Sequence, residues 1–423
     1  MNKIFYSLLL SVACLPATAQ SGLRYPALAD RLYAARQRPL LWYDEGSEAA
    51  AMRRLLKDII DSSAADGLDR NSYHYAALAA GSLPLRMDSA HLRRADRLLT
   101  DAAIAWCRDM YAGAGIGGEI SYDGLSAACR ARDDDYVLQG LAEAHTPRLL
   151  QRFMQSLAPA EPEYLALRAA LRQPPPARAG AQSLLRALNL YRWMHHFRFP
   201  QWIVINIPSA TFRYCRYDSC VLQANVVAGK PSTRTPRFAA ACNEVILYPY
   251  WNVPRSIAVK ELLPLFKILP ALFDSLDMQL IDGTGRVADR HAISWSSLST
   301  THFPYTIRQG TGCNNALGVV KFNLTSPYSV YLHDTNVKSA FRSAYRYYSH
   351  GCIRVEKPVE LAEALLPGRI DSSFLRACYR NQQPIPIRLA PPVPVFVVYA
   401  TAGVDAGGRV VFYRDVYHLR RRR

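Results

Sequence analysis

The stretch Trp202–Ile207, WIVINI, marks the point where the chain changes from helical to strand-like spacing. Upstream of it, Ala49–Asp61 repeats apolar residues every three or four positions, as amphipathic helices do. Downstream, Thr211–Arg216 is a short run rich in aromatic and β-branched residues, which is typical of a strand. The sequence therefore predicts an α+β protein, with a helical N-terminal domain over residues 21–195 and a β-rich domain over residues 196–390.

The β-rich region contains an insert over about residues 250–309. Within it, Ser256–Leu269 has helical spacing, and Met278–Ile281 with Arg286-Val287 has the pattern of a small hairpin. We therefore expect a helix and a hairpin that interrupt the main strands.

Residues 391–423 are predicted to end the chain with a β-hairpin and a basic tail. The pattern gives its strands as Val395–Tyr399 and Arg409–Tyr413, around Gly407-Gly408. The prolines that follow Gln173 break the helical pattern and predict a rigid linker or a long loop.

The first twenty residues have the pattern of a signal peptide. Lys3 gives a positive start, Ile4–Leu15 is an apolar run too short to cross a bilayer, and Ala17–Ala19 has the small residues of a cleavage site. A buried helix and lipidation at Cys14 are the alternatives. We expect residues 1–20 to be removed and the mature protein to be exported, to the periplasm or the cell envelope.

Composition limits the classes of partner. The chain has 423 residues and a net charge of +17, and its basic residues are spread along the chain rather than gathered beside aromatic residues. For an exported chain of this kind we expect no nucleic-acid partner. Acidic wall polymers, anionic lipid or a need for solubility explain the positive charge equally well. No segment after the signal reaches the ~18 apolar residues that a membrane helix needs, so we expect no membrane span.

Nine cysteines occur along the chain, and none forms a CxxC pair, so the sequence predicts no structural metal site. Cys215 and Cys220 bracket a turn-like stretch and are the best local candidates for a disulfide. If Cys352 must stay a free thiol, at least one further cysteine of the mature chain is unpaired.

The densest group of chemically reactive residues begins within the strand-like stretch Ser329–His333. Side chains alternate along a strand, so Tyr331 and His333 share one face. Ser349–Arg354, SHGCIR, then places Cys352 after a glycine, between a histidine and an arginine.

This grouping can support thiol chemistry. A cysteine needs a base or a positive field to form a thiolate, and His333 can supply the base. Backbone amides around Gly351 and Cys352 can stabilise an oxyanion, and the planar Arg354 group suits a carboxylate. The alternative is ordinary structure: a buried cysteine, a satisfied histidine and a surface arginine. Composition alone leaves a candidate thiol enzyme or a redox site.

The order of His333 followed by the SHGCIR block resembles the catalytic signature of the L,D-transpeptidases. Asn314–Phe322 and Tyr250–Ile257 resemble the large subgroup that carries a helical scaffold domain, as do Leu41-Trp42 and Asp101–Met110. The resemblance implies a scaffold domain followed by an L,D-transpeptidase catalytic domain with a helical and hairpin cap.

The resemblance also implies roles for residues. Cys352 would be the nucleophile and His333 its base, with Tyr331 lining the oxyanion region. Ser349 and His350, with Gly351, would shape the turn of the nucleophile.

Further roles concern the substrate. Arg354 would hold substrate or the turn, and Trp251 and Trp295 would face the substrate from the cap. One departure from the subgroup is the span between Leu171 and Leu188, which has no room for the small peptidoglycan-binding module that many members insert.

The implied reaction is acyl transfer on peptidoglycan stem peptides, giving 3→3 cross-links through a thioester. Carboxypeptidase action, exchange of D-amino acids, and a non-catalytic wall-binding scaffold stay open as alternatives. No metal or organic cofactor is expected. The expected partners are donor and acceptor stem peptides, with proteins of wall synthesis as possible further partners.

Overall fold

The structure is a computed structural model that describes residues 22–43, 47–79, 88–116, 120–125, 133–173, 178–217 and 219–419. The predicted signal peptide with Cys14 lies outside these residues. The prolines of the predicted linker and the last four arginines also lie outside them. The expectations about these segments stay predictions.

The chain divides into two compact units, each with its own core. The first unit comprises the described parts of residues 1–64, 68–109 and 134–157, and the second those of residues 65–67, 110–133 and 158–423. This division differs from the predicted boundary at residue 195, because two helices upstream of it pack on the sheet of the second unit. The domain boundaries themselves stay predictions.

Helices make up most of the described first unit, which confirms the predicted helical N-terminal region. Their bounds are α1 Pro26–Arg36, α2 Ser47–Asp61, α3 Tyr75–Ala79, α4 Ser89–Ala112, α5 Asp133–Glu143 and α6 Pro147–Ser156, with 3₁₀ turns at Ser62–Asp66 and Arg70–Tyr73. Proline begins α1 and α6, where its missing N–H removes no helical hydrogen bond.

A buried aspartate ties a loop of the first unit to α4. Asp96 accepts the backbone amides of Leu41, Trp42 and Tyr43 and the hydroxyl of Tyr33. Because its side chain is fully buried and buried amides need partners, this carboxylate satisfies three of them at once.

Strands dominate the second unit. Their bounds are β1 Ser121–Gly124, β2 Gln201–Asn206, β3 Thr211–Arg216, β4 Ser219–Gly229, β5 Phe238–Leu247, β6 Trp251–Asn252, β7 Met278–Ile281, β8 Val287–Ala288, β9 Thr306–Gln309, β10 Val320–Leu324, β11 Leu332–His333, β12 Tyr347–Ser349, β13 Ile353–Val355, β14 Ile385–Val398, β15 Ala402–Val404 and β16 Val410–Phe412. The helices are α7 Pro162–Arg172, α8 Arg178–His195, α9 Arg255–Ile257, α10 Leu263–Ile268, α11 Ala271–Ser275, α12 Pro358–Leu365 and α13 Ser372–Arg376.

The main sheet closes on itself. Its strands pair in the order β5-β10-β11-β13-β4-β3-β2-β14, and β14 pairs again with β5. Fully buried residues such as Phe212, Phe322 and Val395 fill its core, together with Leu361 of α12. On another face, α7 and α8 pack against the sheet, and the Trp193 ring lies 5.3 Å from that of Phe396.

The predicted C-terminal hairpin has a different first strand. Val395–Val398 belongs to β14, which pairs with β2 and β5, whereas the hairpin joins β15 to β16. The prediction was wrong here because a buried apolar strand and a hairpin strand have the same local pattern, and only long-range pairing separates them.

Residues 250–309 form a small subdomain of the second unit, which we call the cap segment. Strands β6, β9, β7 and β8 make a separate sheet, and α9 to α11 with a π-helical turn at Ala258–Leu262 cover it. Phe266, Phe273 and Ile307 are buried in its own core. The helix and the hairpin that the spacing predicts are both present.

The disulfide differs from the local prediction. Cys313 is bonded to Cys378, whereas Cys215 and Cys220 are free thiols on facing positions of β3 and β4. The bonded residues lie far apart in sequence, so spacing gives no signal for their pairing. Within the described residues, no helix is long and apolar enough to cross a membrane.

Candidate active site

The candidate site lies where β11 and β13 run side by side. The two strands are parallel, with Leu332 in register with Ile353 and His333 in register with Arg354. Leu332 and Ile353 are buried in the main core, so the alternate positions face the other side of the sheet. The side chains of His333 and Cys352 are therefore on the same face.

Side-chain hydroxyls hold the turn that carries the cysteine. The buried Ser349 accepts the Gly351 amide on its Oγ at 3.1 Å and donates to the Cys352 carbonyl at 2.6 Å. Thr235 donates to the Gly351 carbonyl at 2.8 Å. Gly351 has a φ of +120°, a backbone conformation that residues with a Cβ rarely adopt.

These contacts decide which amide near the cysteine is free. The Gly351 amide is bound to Ser349, whereas the Cys352 amide has no hydrogen-bond partner within the described residues. Of the two predicted oxyanion donors, only the Cys352 amide is available without a rearrangement of the turn.

The Cys352 thiol is half-buried and can donate to a backbone carbonyl. Its Sγ lies 3.9 Å from the Ser329 carbonyl oxygen. Burial raises the pKa of the thiol, and this outweighs the hydrogen bonds from the Tyr331 amide and hydroxyl and the charge of Lys321, all of which lower the pKa.

Tyr331 connects the nucleophile to the cap segment. Its hydroxyl lies within interaction range of the Cys352 thiol and of the indole N–H of Trp251, the first residue of β6. Burial is the main reason that the pKa of Tyr331 lies well above its usual value, so the hydroxyl stays protonated and able to donate. The Tyr331 and His333 rings meet edge to face, 5.6 Å apart.

His333 is a buried, neutral imidazole. Only 5% of it is exposed, and burial together with the Arg354 and Lys321 charges lowers its pKa from 6.5 to about 3. Its Nδ1 lies 2.5 Å from the Asp334 carbonyl oxygen. Because a carbonyl only accepts, Nδ1 carries the proton and the Nε2 lone pair is left free to accept one.

The imidazole and the thiol lie on the same face of the sheet. No hydrogen bond joins His333 to Cys352 in the part of the chain that the structure describes. Hydrogen bonds of catalytic pairs are often long before substrate binds, so the geometry is compatible with a base at this position.

Asp334 fixes the loop that follows His333. Its carboxylate accepts the Val319 amide at 3.0 Å and is paired with Lys338. Gly318, with a φ of +59°, packs so closely that a Cβ would collide with this carboxylate. These contacts fix the position of Asp334, and with it the backbone carbonyl that orients the imidazole.

The other predicted site residues are placed in different ways. The His350 Nε2 is hydrogen-bonded to Glu261 of the cap segment at 2.8 Å, and Arg354 lies beside His333 in the sheet. Trp295 packs against Phe266 and Phe273 inside the cap core. The structure thus brings Cys352, His333, Tyr331, Ser349, Gly351, Arg354, His350 and Trp251 together. It shows no described contact between Trp295 and the thiol, and the predicted roles stay predictions.

Three residues near the site were missed by the sequence reasoning. They are Lys321, Glu261 and Thr235. The motif that revealed the cysteine is contiguous, whereas these residues reach it through sheet pairing and the cap. A partial signal existed for Lys321, since it is a charged residue within a strand-like apolar run.

Two protein-family models match the chain. The model of the L,D-transpeptidase catalytic domain matches residues 200–387, and that of a scaffold domain matches residues 27–171. A Haemophilus influenzae protein provisionally named an L,D-transpeptidase is 30% identical over 400 residues, which cover 93% of this chain and 78% of that protein. The chain belongs to the L,D-transpeptidase family. Members of this family act on peptidoglycan peptides as transpeptidases, which are acyltransferases.

Solved structures of the family show lower similarity. An L,D-transpeptidase from Mycobacterium smegmatis is 14% identical, with 47% of this chain and 58% of that chain covered and a TM-score of 0.20. A cysteine-to-serine mutant of an Enterococcus faecium L,D-transpeptidase is 12% identical, with 52% of this chain and 64% of that chain covered and a TM-score of 0.20. The chain thus spans less than two thirds of the length of these solved relatives, and the assignment rests on the sequence match.

Proposed function

We propose that this L,D-transpeptidase forms 3→3 cross-links between peptidoglycan stem peptides through a thioester on Cys352, with His333 as the base. The observation that carries the proposal is the placement of a buried neutral imidazole, with its Nε2 free, on the same sheet face as a thiol at a glycine turn. A neutral imidazole can accept a proton, which an imidazolium cannot.

Acylation follows from this geometry. His333 takes the thiol proton as the sulfur attacks the carbonyl that joins the third residue of the donor stem to D-alanine. The Cys352 amide and the Tyr331 hydroxyl lie near enough to the sulfur to stabilise the oxyanion that forms. The carbon–nitrogen bond then breaks, and His333 returns the proton to the departing D-alanine amine.

The low pKa of His333 favours this second transfer. An imidazolium buried beside Arg354 and Lys321 is unfavourable, so the ring passes its proton readily to the leaving amine. In the second half-reaction, the side-chain amine of another stem's third residue attacks the thioester. The amine loses its proton to His333, and the sulfur recovers one.

The cleft should hold both stem peptides. Arg354, which forms no ion pair within the described residues, is suited to a carboxylate of the substrate. We also propose that the protein works outside the cytoplasm, in the periplasm or cell envelope, where its substrate is found. This location rests on the signal-like first twenty residues.

The deciding experiment uses the purified mature chain, a disaccharide-tetrapeptide and product analysis by mass spectrometry. We expect a 3→3 dimer, its loss in Cys352→Ala, and its retention in Cys220→Ala, which removes an exposed thiol outside the site. A tripeptide as the main product would instead identify a carboxypeptidase, and a tetrapeptide that carries an added D-amino acid would identify exchange.

A second measurement locates the acyl group. One solved relative of this family was determined in complex with imipenem. We expect incubation with a carbapenem to add one mass equivalent to the parent chain, on the Cys352 peptide alone. An adduct on Cys220, or turnover in Cys352→Ala, would refute Cys352 as the nucleophile.

A further inference from the structure

A row of nitrogen-bearing side chains crosses the sheet beside the nucleophile. Lys321 of β10 is in register with His333 of β11, which is in register with Arg354 of β13. Side chains in register on adjacent strands point to the same face. Lys321 and Arg354 therefore flank His333 on the face that carries Cys352.

The ammonium of Lys321 interacts with a carboxylate only at longer range, with that of Glu244 on β5. Within the described residues the ammonium forms no hydrogen bond and no ion pair, and burial lowers its pKa. Its Nζ lies 4.3 Å from the centre of the Tyr331 ring. A half-buried cation is stabilised by a ring face and by nearby anions, and the Tyr331 ring holds this one on the face that carries Cys352.

Of the two anions that act on Lys321, a thiolate at Cys352 raises its pKa more than the Glu244 carboxylate does. The ammonium lies over the ring of Tyr331, and the hydroxyl of the same residue interacts with Cys352. The coupling is mutual, since the charge of Lys321 lowers the pKa of the thiol and a thiolate raises the pKa of Lys321.

His333 cannot supply this positive charge. Its pKa of about 3 means that the ring is uncharged at the pH values at which a thiolate exists. The ion pair of thiolate and imidazolium that activates many cysteine nucleophiles is therefore unfavourable in this site.

We infer that Lys321 is a further active-site residue whose ammonium is the electrostatic partner of the Cys352 thiolate. In the free enzyme the thiol gives its proton to water, and during acylation it gives the proton to His333 as the sulfur attacks; Lys321 stays protonated throughout. No bond forms to the lysine. Its charge lowers the free energy of the anionic sulfur before attack and again when the thioester is released.

Other titratable groups near the site are kept constant in the test. Groups that face Cys352 or Lys321 from the packed elements are Tyr331, His333, Arg354 and His350 with its partner Glu261, together with Glu244, which raises the pKa of Lys321 from β5. All of these groups are the same in the variants of Lys321 that are compared. A difference in the thiol pKa between a neutral and a charged residue at position 321 therefore measures the contribution of the Lys321 charge.

The experiment measures alkylation of Cys352 by iodoacetamide between pH 6 and 10, without substrate, by mass spectrometry of the Cys352 peptide. In Lys321→Met we expect the apparent pKa of the thiol to rise by about one unit and the rate at pH 8 to fall several-fold, to about a tenth. Lys321→Arg should restore both to near parental values. Lys357→Met removes an exposed positive charge elsewhere and should change neither.

Because the reagent is neutral and no stem peptide is present, the result does not depend on the 3→3 reaction. An unchanged apparent pKa in Lys321→Met would overturn the inference. So would a rise in KM for the donor peptide with no change in the alkylation profile, which would make Lys321 a ligand of a substrate carboxylate. If Lys321→Met does not fold, Lys321→Gln replaces it, and the same comparison with Lys321→Arg decides.

Discussion

At the scale of single residues, the environment of His333 decides what the site can do. The sequence predicts a histidine and a cysteine that work together, and the motif is specific enough to name both. It does not predict the protonation state of the ring, because that depends on burial and on Lys321 and Arg354. These neighbours come from two other strands, and their alignment is a property of the sheet register.

We expect His333→Ala to slow acylation of Cys352 by a carbapenem by about 10²–10⁴, the usual range for a positioned acid-base group. The reason is that His333 is the residue on this face with a neutral imidazole whose Nε2 can accept a proton. Single-turnover mass spectrometry measures the rate. His350→Ala is the matched control: because His350 is paired with the cap residue Glu261, its loss should slow acylation much less. Equal losses in the two variants would contradict the assignment of the base.

The pH dependence of stability gives a second test of His333. Its pKa is about 3 in the folded chain and 6.5 without the fold, so the unfolded chain binds the additional proton. The contribution of His333 to stability is thus complete above pH 6.5 and is lost as the pH falls toward 3. Between pH 7 and pH 5 the free energy of unfolding should fall by about 2 kcal/mol from this group alone.

His333→Gln has no such titration, so the stability difference between parent and variant should shrink by that amount at pH 5. Urea unfolding at both pH values, followed by hydrogen exchange in peptides of the second unit, measures it. A difference that is the same at both pH values would show that the ring is not held neutral by the fold.

At the scale of elements, the cap segment reaches the nucleophile through two contacts. Glu261 is paired with His350 on the turn of the cysteine, and the Trp251 indole interacts with the Tyr331 hydroxyl. The helical spacing and the hairpin pattern predict the elements of the cap. Its separate sheet was not predicted, since β6 and β9 are short and pair across the whole insert.

Pairing over long sequence separations also explains the two predictions that were wrong, which concern the disulfide and the first strand of the C-terminal hairpin. Cys215 and Cys220 are close in sequence and in space, yet the disulfide joins Cys313 to Cys378. Likewise, the glycines near residue 407 correctly predict a turn, but they do not say which strand pairs with β16. Local spacing predicts turns and strands well, whereas partners chosen across long separations depend on the complete core.

We expect the cap to control which acceptor reaches the thioester, because an acyl-enzyme must be shielded from water until an amine arrives. Replacing residues 254–305 with a short Gly/Ser linker keeps Trp251 and the β6–β9 pairing. The variant should retain alkylation of Cys352 by iodoacetamide, lose most cross-linking and give a larger hydrolysed fraction. Mass spectrometry of the products gives the ratio of tripeptide to dimer.

Glu261→Gln is the milder comparison, since it changes only the carboxylate that is hydrogen-bonded to His350. It should shift the same ratio in the same direction and by less. If the shortened chain forms dimers at the parental rate and ratio, the cap is a rigid addition to the core with no role in acceptor choice.

At the scale of the whole molecule, stability comes from separate cores that the sequence pattern only partly distinguishes. Helical spacing predicts α2 and α4 and also α7 and α8, but it does not show that the last two pack on the sheet of the second unit. Their apolar faces are alike, and the identity of the surface that each one covers is decided by tertiary packing. For this reason the helical region is predicted well from the sequence, and the limits of the compact units are not.

The buried carboxylate of Asp96 allows the first core to be tested by itself. All of its described partners lie in the first unit, in α1, in α4 and at residues 41–43. In Asp96→Ala, three buried amides and the Tyr33 hydroxyl lose their acceptor, so we expect the free energy of unfolding of this unit to fall by about 3–5 kcal/mol.

The control is Tyr33→Phe, which removes one donor and leaves the carboxylate with its three amides. It should lower the free energy of unfolding by about 1 kcal/mol. Hydrogen exchange followed by mass spectrometry should show faster exchange in peptides from residues 24–43 and 89–109 of Asp96→Ala. Exchange there at the parental rate would mean that the aspartate is not what holds the loop to α4.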